Sequence, residues 1–156
     1  CKIKSNKVYE NIKRIGGVAL SPIPIMADKS ERYRNKAQYP VSQSGNIGFY
    51  AFHSHRIIEC EDCLLQPHIF SQICEVTRDW IKANNISVYD EISHKGILRH
   101  LYIRKAEQTG EIMVTFVING DSLPKTNQLV EKLVEVCAGN LKSVQLNINK
   151  EKKEYL

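Results

Sequence analysis

The chain has 156 residues, 42% of them apolar, and its 22 lysines and arginines outnumber 17 acidic residues to give a net charge of +5 and a pI near 8.9. That length suffices for one domain with a real core, and the basic balance favours a polyanionic partner. Five irregularly spaced cysteines and no signal-peptide pattern argue against a secreted disulfide scaffold and for a reducing cytoplasm, and no apolar run approaches the roughly 20 residues that cross a bilayer.

Cys1 to Ile15 is predicted as a helix, because Cys1, Val8, Ile12 and Ile15 share one stripe while Lys4, Lys7, Lys13 and Arg14 lie elsewhere, and Gly16-Gly17 supplies a stop. No capping residue precedes the periodic run and there is no initiator Met, so a domain taken from a longer polypeptide is expected. Val18 to Lys29, with Pro22 and Pro24 two apart, suits neither helix nor sheet interior and is predicted as an extended connector.

Ser30 to Asn46 carries the densest chemistry. If extended, it places Arg34 and Lys36 on one face and Tyr33, Asn35, Ala37 and Tyr39 on the other. Ser44-Gly45-Asn46 permits a turn, and Ile47 to Phe52 then returns as the second strand of a predicted hairpin. Arg56 to Cys60 is a further short strand. Pro67 opens a helix whose stripe of Ile69, Ile73, Val76 and Trp80 runs to Asn84-Asn85.

Ile97 to Lys105 is predicted as a strand, Gln108 to Glu111 as a turn, and Ile112 to Ile118, apolar on both faces, as a central strand. Asn119 to Ser122 offers an N-cap to a helix with Pro124 in its first turn, Leu129, Val130, Leu133, Val134, Val136 and Cys137 on its stripe, and Gly139 past its end. Val144, Leu146 and Ile148 alternate with polar residues as a one-sided strand. From Arg56 onward the order is strand, helix, strand, strand, helix, strand. The fold class is therefore α+β, an antiparallel sheet of ferredoxin-like order extended by the N-terminal hairpin and helix, in a single domain over 1–156.

Cys60-x-x-Cys63 could bind zinc with His53 and His55, although that spacing matches no structural zinc site. A redox dithiol is disfavoured by Glu61 and Asp62 between the sulfurs. The plain alternative is one buried and one exposed thiol. Cys1, Cys74 and Cys137 sit on or beside apolar stripes as core fillers. On Ile97 to Lys105, His100, Tyr102 and Arg104 face one way and Arg99, Leu101 and Ile103 the other, and rings interleaved with cations suit single-stranded nucleic acid as well as a solvated face. No nucleophile elbow, phosphate loop, dinucleotide turn or metalloprotease helix is present.

Taken together, KVYENIKRIGG (7–17), YRNKAQYPV (33–41), IGFYAFHSHRIIECEDCLLQP (47–67), GILRHLYIRKAEQTGEIMVTFVING (96–120) and SVQLNIN (143–149) resemble the 5-methyluridine RNA methyltransferase family, which methylates uracil C5 in tRNA and rRNA. The resemblance covers nearly the whole chain. It implies the central, RNA-orienting domain of a larger S-adenosylmethionine-dependent enzyme, with an RNA-binding barrel and Cys-rich loop before it and the catalytic domain, holding the nucleophilic cysteine and the cofactor site, after it. On that basis the chain contains no catalytic residue and is inactive alone. Cys63 matches the position of a lone [4Fe-4S] ligand in members that carry a cluster, and Arg34, Lys36, Arg99 and His100 are the residues expected to contact tRNA or rRNA.

Overall fold

The computed structural model describes residues 2–21, 24–27 and 29–152. The chain forms two compact units, Cys1–Ser30 and Glu31–Leu156. The first unit contains helix α1 (Lys2–Gly16), which stops at the Gly-Gly pair, and the following described residues are irregular, in keeping with the connector. None of the described side chains of α1 is buried, and Val8 and Ile15 on its apolar stripe are exposed. Cys1 of the predicted stripe and Pro22 of the predicted connector lie outside the described residues.

The second unit is built on a four-stranded sheet in the order β1 (Lys36–Pro40), β4 (Leu98–Lys105), β5 (Ile112–Ile118), β6 (Leu141–Ile148). β1 runs antiparallel to β4, and β4 to β5, whose connecting turn is closed by Ala106 N–H donating to Glu111 O. β5 and β6 are parallel, and the helix between them supplies the crossover that a parallel pair needs. That helix, α3 (Thr126–Val136), joins α2 (His68–Ala83) on one face of the sheet, where Phe70, Ile73, Trp80, Leu129 and Leu133 are buried with Leu101, Ile103, Val114 and Phe116. The Trp80 and Phe116 rings lie 6.4 Å apart, and Trp80 Nε1 donates to Lys125 O at 3.1 Å. This arrangement uses the apolar periodicity of both helices, and β5 is the central strand its composition foretold.

The α+β class and the element order are as expected, but the strands are distributed differently. β1 does not form a hairpin with the segment after the Ser42–Asn46 turn; the two share the single bridge Val41↔Ile47, and β1 instead pairs along its length with β4. The register explains the choice. Ala37 and Tyr39 face the core only when aligned with Ile103 and Leu101, and Pro40, which cannot donate to a ladder, is tolerated because β1 is an edge. β2 (Gly48–Tyr50) and β3 (Ile57–Glu59) form a separate two-stranded sheet, so Ile57–Glu59 does not enter the main sheet as a ferredoxin-like order would require. Gly48 sits so close to β3 that a Cβ would lie 1.9 Å from the Ile58 carbonyl oxygen. α3 begins later than expected, at Thr126, after Lys125 in a left-handed conformation and without a side-chain cap.

Candidate nucleic-acid interface

With α2 and α3 on one face, the strand register arranges the opposite face of the sheet in three rows. Residues directly opposed on neighbouring strands point to the same side, so Lys36, Arg104, Met113 and Ser143 make the first row, Gln38, Tyr102, Thr115 and Gln145 the second, and Pro40, His100, Val117 and Asn147 the third. The face is cationic at one end, polar in the middle and aromatic toward the other.

A cleft of about 530 Å³ surrounds the first row and is lined by Lys36, Arg104, Lys105, Lys142 and Glu111 among others. None of its four cations forms an ion pair among the described residues, and one carboxylate stands against them. A second cleft of about 400 Å³ surrounds the third row, with Phe49, Tyr50, His100, Tyr102, Asn147 and Asn149 in its walls. The His100 and Tyr102 rings are 6.2 Å apart. Burial raises the Tyr102 hydroxyl above its ordinary pKa, with Arg99 pulling weakly the other way, so the ring stays neutral at physiological pH.

The four cations named from the sequence have different fates. Lys36 stands in the first row, and Arg34 is exposed just before β1, its backbone N–H held by Leu65 O at 2.9 Å. His100 is half-buried in the third row. Arg99 is turned inward and only 3% exposed. It lies at a β-bulge between Leu98 and His100, stacks 4.2 Å from the Tyr89 ring centroid, and donates to Asn149 O at 3.2 Å, Glu151 O at 2.7 Å and Glu91 Oε1 at 3.3 Å. The structure thus gives Arg99 a role inside the protein, holding the segment that leaves β6. Alternation along β4 had already separated it from His100 and Arg104.

The cysteine loop is organised by a residue that no sequence motif marks. Arg32 makes a two-pronged ion pair with Asp62, both distances 2.6 Å, and also donates to the carbonyls of Cys63 and Gln66 at 2.8 Å. Gln66 accepts from the buried Tyr39 hydroxyl. Nothing local could have singled out Arg32 from Arg34, since its partners lie about thirty residues away. The Arg32 hydrogen bond holds the Asp62 carboxyl below its usual range, and burial, followed by Cys63 and Asp62, raises the Cys60 thiol. Cys74 is pushed up to about 12 by burial. These are not activated thiols. Cys63 is half-buried beside Cys60, but among the described residues no three His, Cys, Asp or Glu side chains are grouped to hold a metal, which removes the zinc site with His53 and His55.

No protein-family model matches the chain. It is 40% identical over 150 residues to an uncharacterized RNA methyltransferase of Caldanaerobacter subterraneus subsp. tengcongensis and 37% identical over 153 residues to one of Clostridium tetani, covering 94% and 96% of this chain. It spans 33% of the length of each of these relatives. In structure it is similar to the Pyrococcus abyssi tRNA (uracil-54, C5)-methyltransferase solved with S-adenosyl-L-homocysteine, with a TM-score of 0.74 over 98% of this chain and 36% of that one, at 21% identity. That likeness shows a shared fold. The chain is thus similar, over about a third of their length, to proteins named as RNA methyltransferases.

Proposed function

We propose that this chain is the RNA-holding domain of an S-adenosylmethionine-dependent RNA uracil-C5 methyltransferase, acting on tRNA or rRNA in the cytoplasm, and that methyl transfer is carried out by other parts of the same polypeptide. The relatives support the reaction class. The observation that carries the RNA-holding role is the cationic end of the sheet, Lys36 with Arg104, Lys105 and Lys142, without an ion pair among the described residues and continued by exposed Arg34. Such groups fix a backbone in register without reading its sequence. The other domains supply the methyl donor and the nucleophile in this reading. Cys63, braced through Arg32, would be a single ligand to an iron-sulfur cluster completed elsewhere in the whole protein, and the RNA-holding role does not depend on it.

The test is charge reversal, R34E with K36E, in the full-length enzyme. RNA affinity should fall, and the slope of log K against log salt should flatten by about 1 for each phosphate no longer neutralised, with S-adenosylmethionine affinity unchanged. Equal RNA affinity for variant and wild type at two salt concentrations would refute the role.

A further inference from the structure

We propose that the open face of the sheet is a path for a single-stranded RNA segment, with phosphates in the cleft of Lys36, Arg104, Lys105 and Lys142 and a base stacked on Tyr102 toward the His100 end. This rests on the RNA-holding role proposed above and adds the strand state of the RNA and its course. Arg104, Tyr102 and His100 succeed one another along one face of β4, so the path from cation to ring to ring covers about 13 Å at ~3.3 Å per residue. A short run of nucleotides fits that span.

The chemistry of the face selects the occupant. Four cations against the single carboxylate of Glu111 in the cleft lining are poorly suited to a protein interface core, where charge is depleted, and match a phosphate backbone. In a duplex the bases are hidden from a flat sheet, whereas unpaired bases can be splayed onto an aromatic ring. Around Tyr102, the side-chain amides of Gln38, Gln145 and Asn147 and the hydroxyl of Thr115 line the same face, able to donate to or accept from a base edge. Tyr102 is half-buried, so the ring is held by its neighbours and still reachable.

The experiment uses the full-length enzyme with fluorescein-labelled single-stranded oligouridylate and with an RNA duplex of equal length. Wild type should prefer the single strand. Y102A should weaken single-strand binding about 5- to 150-fold, the range for removing one base–aromatic stack, while Y102F should bind as wild type and duplex binding should be unchanged. K142E should flatten the salt dependence, and 4-thiouridine photo-crosslinks should map to the peptide Leu98–Lys105. If Y102A fails to fold, the exposed K142E variant and the crosslink map decide the matter. Wild-type RNA binding with crosslinks elsewhere and no effect of Y102A or K142E would overturn the path while leaving the RNA-holding role standing. A flanking domain covering the face would give that same result. Absence of any RNA binding by wild type would overturn both.

Discussion

Replacing Arg99 with methionine separates two roles for a cationic residue next to a proposed RNA face. Methionine keeps most of the apolar stem and removes three hydrogen bonds, to Asn149 O, Glu151 O and Glu91 Oε1, together with the stack on Tyr89. Hydrogen bonds from a charged donor are each worth about 1.5–3 kcal/mol net, but their sum overstates the loss. Glu91 is 31% exposed and regains water, and Arg99 Nε is buried without a hydrogen bond among the described residues, so an apolar replacement recovers part of its desolvation. The expected destabilisation is about 2–4 kcal/mol, which lowers Tm. Arg99→Lys should recover little, since an ammonium cannot reproduce the planar fork. Calorimetry on the full-length enzyme measures the first effect, and RNA titration across salt concentrations measures the second. The salt slope should match wild type, because the guanidinium is not at the surface. An unchanged Tm together with a slope lowered by about 1 would show that Arg99 reaches a phosphate and refute the structural role.

Three further outcomes follow from the same geometry. Gly96 has φ of +105° and a Cβ there would lie 2.0 Å from Val88 O, so Gly96→Ala should cost more than the roughly 1–2 kcal/mol of the backbone conformation alone; an unchanged urea midpoint would contradict this. Asp62 has a lowered folded pKa, so its contribution is full above its unfolded value of about 3.9 and is lost as pH falls through the folded value. Asp62→Asn should therefore lack part of the acid-side loss of stability seen in wild type, and identical acid-side profiles for the two proteins would rule this out. Alkylation with iodoacetamide at about pH 8, read by mass spectrometry, should leave buried Cys74 and Cys137 unmodified and modify Cys60 slowly, because burial raises all three thiols. Rapid modification of Cys74 in folded protein would show that α2 does not seal it.

Periodicity was enough to find α2 and α3, the strand β6 and the two-faced apolar run of β5, because burial imposes spacing within a single element, although Leu146 and Ile148 on the apolar side of β6 are 43% and 54% exposed. It also separated Arg99 from His100 and Arg104, and the family resemblance in the phrases around Tyr33, Cys60 and Gly96 agrees with the relatives found by comparison. Pairing between elements was not legible. The Ser44-Gly45-Asn46 cluster suggested a hairpin, yet β1 joins β4 because only that register buries Ala37 and Tyr39 against Leu101 and Ile103, and no local signal ranks a neighbouring strand against a distant one. The same limit hid the Arg32–Asp62 clamp and the three-row face, since each depends on which residues the tertiary structure brings side by side. Composition and spacing determined the elements. The assembly of the sheet determined that Arg99 is buried as a brace while Arg34, Lys36 and Arg104 are exposed, since burial is a property of the assembled core and not of a residue's place in the chain.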